Sequence, residues 1–206
     1  MKIRVEQFVN GVYKQNGYVV GGQSNSAVIV DPGSDASGVS AVIEKNGWDP
    51  LAIIATHAHF DHVSAVSELL DTYQVPFYIH VDDLPLMQRI NLYKFVVEGG
   101  EAVKIPVASN VIDNNTENLS IGEYLIKVIH TPGHTPGGLC FLIDNHLFTG
   151  DTILPAGIGR IDLPGGDSEA MTQSLEVIQK LSSDLIAYPG HGSSMLLRDL
   201  LDSAQI

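Results

Sequence analysis

The sequence contains one cysteine, few basic residues and no long apolar run, and each scarcity excludes a class of protein. The single Cys140 excludes an internal disulfide, and its place in the apolar run 139–143 predicts a buried, unreactive thiol. Eleven Lys and Arg stand against 24 Asp and Glu, a formal charge of −13, which argues against a nucleic-acid partner because phosphate binding needs a basic patch. No run approaches membrane-spanning length, and residues 1–6 lack a basic stretch leading into an apolar one. We therefore expect a cytoplasmic protein with no membrane partner.

The composition is that of a folded globular chain. Of its 206 residues, 44% are hydrophobic and 17% are charged, which is outside the range typical of disorder. No linker, low-complexity tract or repeat divides the sequence. We therefore predict a single domain spanning residues 1–206.

Short apolar runs alternate with segments of helical periodicity. Turn residues separate the opening runs, which predicts a β-meander followed by a β-α-β passage. Residues 82–95 are predicted to be irregular or helical, and residues 98–118 to contain only short strands. Gly47 is predicted to end the first helix and Ser168 to cap the third. The predicted strands are 3–8, 17–22, 27–30, 51–55, 76–80, 124–129, 139–143, 146–149 and 185–188, and the predicted helices are 37–46, 63–73, 168–181 and 194–203.

The densest polar cluster, His57, His59, Asp61 and His62, follows the buried strand 51–55 directly. Side chains two apart on an extended segment share a face, so the first two histidines can point at one ion. Asp61 and His62, after the chain turns, can reach a second. Burying such groups is costly unless a cation compensates. Asp61 could instead cap the following helix, but capping explains none of the histidines.

Three further strand ends carry the same residue types. His134 lies in the turn 131–138, Asp151 follows the strand 146–149, and His191 follows the strand 185–188. Nitrogen and oxygen ligands without cysteine suit zinc, iron or manganese. This set of five histidines and two aspartates fits two divalent ions that share one carboxylate, and zinc is the expected metal. The predicted metal ligands are His57, His59, Asp61, His62, His134, Asp151 and His191.

These motifs resemble those of the metallo-β-lactamase-fold hydrolases, and within them the small glyoxalase II-like proteins. H-x-H-x-D-H, P-G-H-T, G-D-T and P-G-H-G occur in the family's order, and the stretch 159–167 resembles a subgroup signature. The resemblance implies an α/β (α+β) fold, a four-layer αββα sandwich with the metals at one edge between the sheets. It also implies a ligand set for each ion: His57, His59 and His134 for the first, Asp61, His62 and His191 for the second, and Asp151 shared between them.

The implied chemistry is hydrolysis, with Asp61 and Asp151 as the catalytic carboxylates. Two close cations lower the pKa of a bridging water, and the resulting hydroxide attacks a carbonyl carbon. A small-molecule thioester such as S-lactoylglutathione, or a similar small ester, is the expected substrate. Alternatives are a persulfide dioxygenase with one iron on residues matching His57, His134 and Asp151, a β-lactamase or a homoserine-lactone lactonase, and a non-catalytic binding protein. The oligomeric state stays open.

Arg160 is the candidate substrate-binding residue. It follows a G-x-G turn, where glutathione-thioester hydrolases of this family carry a basic residue for the glutathione carboxylate. The aromatic residue found two positions later in those enzymes is Asp162 here, and we expect no helical C-terminal domain of the kind that adds glutathione contacts. Arg160 can equally pair with Asp162 or Asp167 as scaffolding. Structural or packing roles are expected for His80, His130, His146, Tyr13 and Tyr18, and for Tyr93, whose segment could border the cleft.

Overall fold

A computed structural model describes residues 3–206. Met1 and Lys2 lie outside the described residues. Two predictions include them, namely the single domain 1–206 and the absence of a leader at residues 1–6. The strands are β1 (Arg4–Asn10), β2 (Gln15–Gly21), β3 (Ser26–Val30), β4 (Asp49–Ile54), β5 (Phe77–His80), β6 (Asn110–Ile112), β7 (Asn118–Ile121), β8 (Tyr124–His130), β9 (Leu139–Ile143), β10 (His146–Gly150), β11 (Ile186–Pro189) and β12 (Met195–Leu196). The helices are α1 (Ala36–Asn46), α2 (Phe60–Val63), α3 (Val66–Tyr73), α4 (Leu84–Met87), α5 (Ile90–Val97), α6 (Ser168–Gln179) and α7 (Leu197–Ala204), with a 3₁₀ turn at Val81–Asp83.

The strands form two six-stranded sheets. In the first, β1 to β6 lie in sequence order, with the first three antiparallel and β3 to β6 parallel. In the second, the order is β12-β11-β10-β9-β8-β7, with only β10 and β11 parallel. Strands β8, β10 and β11 therefore run in one direction, so their carboxyl ends meet at one edge.

Alternation along the strands builds three apolar layers. Val19 of β2 faces the outer helices α1 and α3, while its neighbours Tyr18 and Val20 face the second sheet. Cys140 of β9 faces α6 and α7 on the far side. A helix layer therefore covers each outer face, and the expected αββα sandwich is confirmed. Among residues 3–206, no helix is both long and apolar enough to span a membrane.

The predicted helix 63–73 is wrong at its start, because the chain forms two helices there. The backbone N–H of Ala65 donates to Gly33 O at 2.8 Å instead of continuing the first helix. A tertiary partner thus interrupts the helical ladder between α2 and α3. Helix α2 begins directly after His59, and Asp61 lies in its first turn, so the alternative that Asp61 caps the helix is wrong.

Gly47 ends α1 in the left-handed conformation, as predicted. The starts of α6 and α7 differ from the prediction. Asp167, and not Ser168, caps α6, because its carboxylate accepts hydrogen bonds from the N–H groups of the next turn. Residues 194–196 do not begin the last helix, because Met195 pairs with Ala187 of β11. The segment after β5 takes the helical alternative, as α4 and α5.

Candidate metal centre

The seven predicted ligands lie together at one edge of the sandwich. The first four follow β4, whereas His134, Asp151 and His191 follow β8, β10 and β11. Each side chain therefore leaves a strand at its carboxyl end, where the two sheets present their loops to each other. The fold brings together residues up to 134 positions apart, from His57 to His191.

The first triad consists of His57, His59 and His134. One nitrogen from each lies within 4.8 Å of the others. The ring centroids are 4.8, 4.9 and 4.5 Å apart, and the ring planes are nearly perpendicular. Nε2 of His57 and of His134 is buried without a hydrogen-bond partner. Orphaned buried nitrogens are costly, so this arrangement is suited to a divalent cation.

The second triad consists of Asp61, His62 and His191, whose ligand atoms also lie within 4.8 Å of one another. Asp61 Oδ2 is 3.4 Å from His191 Nε2 and 3.9 Å from His62 Nε2. Nε2 of His62 is buried without a hydrogen-bond partner. One carboxylate and two imidazoles form a donor set that zinc, iron and manganese accept.

Asp151 lies against both triads. Its Oδ2 is 3.5 Å from Nε2 of His134 in the first triad and 3.5 Å from Nε2 of His191 in the second. Its Oδ1 is 3.6 Å from His62 Nε2, is buried, and has no hydrogen-bond partner. A single carboxylate therefore faces two clusters of donors, the arrangement expected for a shared ligand.

Hydrogen bonds at Nδ1 orient four of the five histidines. His134 donates to Arg160 O at 2.7 Å, and His191 donates to Tyr13 O at 3.0 Å. His62 donates from Nδ1 to a carboxylate, and His57 from Nδ1 to a threonine hydroxyl. Because each acceptor fixes a proton on Nδ1, Nε2 is the nitrogen that each ring presents to a cation.

Asp31 is a site residue that the sequence analysis missed, because it reads there only as the end of β3. Its Oδ1 accepts from the N–H of Thr56 at 2.7 Å, and its Oδ2 accepts from Thr56 Oγ1 at 2.6 Å and from His62 Nδ1 at 3.0 Å. One buried carboxylate thus fixes the chain just before His57 and the ring of His62. An aspartate directly after a buried strand is the signal that could have found it.

Asp83, in the 3₁₀ turn after β5, is a second missed residue. Its Oδ2 accepts from the N–H of Ala58 at 2.7 Å and from Thr135 Oγ1 at 3.0 Å, and its Oδ1 accepts from the N–H of Gly137 at 2.7 Å. It therefore ties the loop of His57 and His59 to the loop of His134. Burial raises the pKa of the Asp83 carboxyl.

Two glycines leave the room that the site needs. A Cβ at Gly190 would lie 2.1 Å from Asp151 Oδ1 and 2.8 Å from the His62 ring. A Cβ at Gly159 would lie 2.1 Å from the backbone oxygen of Asp151. Glycines in the P-G-H-G and G-x-G-R motifs are thus required by close approach to Asp151.

The protonation pattern divides the histidines into two groups. Burial lowers the pKa of His57 well below its usual value and that of His59 to about 3. Burial would also lower the pKa values of His62 and His191, but neighbouring carboxylates outweigh it and raise them to about 9 and about 10. Without a cation, the second triad therefore holds protons at neutral pH beside Asp61 and Asp151.

A cavity of about 290 Å³ opens beside the two triads. Arg160 lies at this cavity, and its guanidinium pairs with both oxygens of Asp162 at 2.9 and 2.8 Å, as the scaffolding alternative expected. Tyr93 borders the cavity as expected. Tyr13, expected to be a packing residue, also borders it and lies edge-on to Phe60 at 5.9 Å.

The remaining histidines lie outside this centre. The rings of His80 and His130 stack at 4.3 Å with planes 11° apart, and His146 Nδ1 lies 2.9 Å from Tyr188 Oη. Although His80, His130 and Asp82 come within reach of one ion, in-plane lone pairs of parallel rings do not converge. Cys140 is buried as predicted, and burial raises the pKa of its thiol to about 11.

Comparison with known proteins matches this chain to metal-dependent hydrolases. The family model described as the metallo-beta-lactamase superfamily matches residues 10–191. The probable metallo-hydrolase YqgX of Bacillus subtilis strain 168 is 32% identical over 171 residues, which are 82% of this chain and 81% of that protein. The crystal structure of the BLEG-1 B3 metallo-beta-lactamase superposes with a TM-score of 0.90 at 31% identity, covering 97% of each chain. That of TTHA1623 in a di-iron-bound form gives 0.84 at 33% identity, covering 94% of this chain and 96% of that one.

Proposed function

The chain belongs to the metallo-beta-lactamase superfamily as a hydrolase-type member, and from that membership we propose that it cleaves a thioester or a similar small ester at a dinuclear metal centre. The observation that carries this proposal is the position of Asp151, whose carboxylate faces donors of both triads. A centre for one ion would leave the orphaned Nε2 atoms of the other triad uncompensated.

In this proposal each triad holds one divalent ion. His57, His59 and His134 hold the first, Asp61, His62 and His191 hold the second, and Asp151 is shared. When bound, such ions lower the pKa of water and polarise a carbonyl oxygen. The di-iron form of the relative TTHA1623 supports two-ion occupancy, and zinc remains the default metal for this chain.

The chain's own residues orient the reaction. Asp61 and Asp151 both border the cavity, so their carboxylates lie where a scissile bond would enter. Burial would raise the pKa of Asp61, but His62 and His191 outweigh it and lower the pKa. Asp61 is therefore ionised at neutral pH, as a carboxylate ligand of the second ion must be.

The test combines metal content with turnover on one sample. Protein purified without added metal is analysed by plasma mass spectrometry and assayed with S-lactoylglutathione and simple thioesters. We expect two ions per chain and thioester cleavage. One iron per chain, with consumption of oxygen and persulfide, would instead establish the dioxygenase alternative.

A variant pair tests the shared carboxylate. Asp151→Ala should lower the metal content from two ions toward one and abolish most turnover. Asp184→Ala removes the same charge from an exposed side chain that pairs with Arg198, and it should change neither quantity. Unchanged metal content in Asp151→Ala would refute the shared-ligand assignment.

A further inference from the structure

We propose that the substrate carries an uncharged, apolar acyl chain of about six to eight carbons, which occupies the cavity beside Asp151. This inference rests on the proposed ester or thioester hydrolysis and narrows its substrate class. It follows from the apolar side chains that line the cavity, from the pairing of the one arginine beside it, and from the cavity volume.

One wall of the cavity is made by apolar side chains that pack in no core cluster of the described chain. Leu154, Ile158 and Leu163, all in the segment after β10, are half-buried and line the cavity. Within residues 3–206 they pack in none of the three core clusters that hold the layers together. Apolar groups left facing a cleft indicate a ligand with apolar surface.

The opposite wall comes from α5 and its surroundings. Tyr93 and Val97 line the cavity from this helix, and Phe60 lines it from α2. The other face of α5 exposes Val96, which is 73% exposed and lies outside the cavity. Two adjacent valines thus differ in whether they face the cavity, which provides a matched pair for mutation.

Apart from the proposed metal ligands, the described side chains at the cavity offer no free basic group to the carboxylates of a glutathione thioester or the phosphates of a coenzyme A thioester. Arg160 is the one lysine or arginine side chain among the described residues that line the cavity, and its guanidinium is already engaged by both oxygens of Asp162. The formal charge of the whole chain is −13. An uncharged acyl group needs no basic partner, whereas a tripeptide with free carboxylates meets no unpaired lysine or arginine among the described residues at the cavity.

The cavity has room for a chain of this length. A liquid volume of about 30 Å³ per water-sized group means that a cavity of about 290 Å³ holds about ten non-hydrogen atoms. An acyl group of six to eight carbons with its carbonyl and leaving atom is of this size.

The first experiment is a chain-length series on the metal-loaded protein. The p-nitrophenyl esters of acetate, butyrate, hexanoate and octanoate share one leaving group, so its contribution cancels. We expect kcat/KM to rise about fourfold for each added methylene group and to level off near eight carbons.

The outcomes separate the two proposals. No cleavage of any ester or thioester with two ions bound would contradict the proposed function itself. Cleavage that is independent of chain length, or fastest with S-lactoylglutathione, would overturn the apolar substrate class and leave the hydrolase assignment standing.

The second experiment uses the matched valines. Val97→Asp places a charge at the cavity and should lower kcat/KM for the octanoyl ester by about tenfold or more, while acetyl ester cleavage changes less than twofold. Val96→Asp makes the same change of charge on the outer face and should affect neither substrate. Equal effects of both variants would overturn the proposal.

A binding measurement supplies a readout that needs no turnover. Methyl ketones hold the alkyl chain and carbonyl but no leaving group, so calorimetric titration of the metal-free protein reports the cavity alone. 2-Octanone should bind more tightly than 2-butanone, and Val97→Asp but not Val96→Asp should remove the difference. Equal affinity for the two ketones in the unmutated protein would contradict an apolar acyl subsite.

Discussion

Replacing Asp83 by Asn should loosen the first triad although the side chain contacts none of its histidines. The carboxylate accepts three hydrogen bonds, from Ala58 and Thr135 on Oδ2 and from Gly137 on Oδ1. The carboxamide of asparagine has only one oxygen, so the backbone N–H of either Ala58 or Gly137 must face its NH₂ group. A buried N–H left without an acceptor costs about 1–3 kcal/mol of folding free energy. In a chain of this size that lowers the melting temperature by about 2–12 °C.

The functional consequence is a lower affinity for the ion of the first triad. The two loops that Asp83 joins carry His57, His59 and His134, so their relative position depends on it. Losing a group that orients ligands typically costs about 10–100-fold in metal affinity. We therefore expect one of the two metal affinities to fall by that factor while the site of Asp61, His62 and His191 keeps its affinity.

The assay is titration of the metal-free protein with cobalt(II), followed by its visible absorption and by thermal melts. Asp82→Asn is the matched control, because it makes the same change of charge one residue away on a side chain that is 49% exposed. A lower melting temperature with unchanged cobalt affinity would show that Asp83 supports only the fold. No change in either quantity would refute the reasoning.

Three further predictions concern other buried groups. Asp31→Asn should lower metal content at the second triad, measured by mass spectrometry, because the carboxylate that accepts from His62 Nδ1 is lost; full occupancy would contradict this role. In chelator, the melting temperature should fall as pH rises from about 6.5 to about 10. The raised pKa values of His62 (about 9) and His191 (about 10) mean that the folded chain binds protons there that the unfolded chain has released; a rising melting temperature would have the wrong sign. Cys140 should resist iodoacetamide at pH 8 until urea unfolds the chain, and labelling of the native protein by mass spectrometry would disprove its burial.

The sequence by itself showed which strand ends carry the candidate ligands, and the resemblance of its motifs to the metallo-β-lactamase-fold hydrolases implied the layered fold. Buried strands are apolar on both faces, so a histidine or aspartate two residues beyond a predicted strand stands out, as at His57 and Asp151. Asp31 follows its strand directly and was missed because no second ligand stands beside it in the sequence. The two-residue spacing of His57 and His59 also predicted that they share a triad, which the structure brings together with His134. Such patterns are local, and local chemistry can be read from neighbouring residues.

Only the tertiary structure decided how these groups are held and what the cavity admits. Asp83 meets partners 25 and 54 positions away, and His134 donates to a backbone carbonyl, that of Arg160, which any residue type would supply. The break after α2 likewise depends on the distant carbonyl of Gly33. Helix α5 is apolar nearly all round, so its periodicity does not say that Val97 and not Val96 faces the cavity. Long-range hydrogen bonds and the orientation of a mostly apolar helix leave no clear pattern in the sequence, because both are fixed when the chain packs.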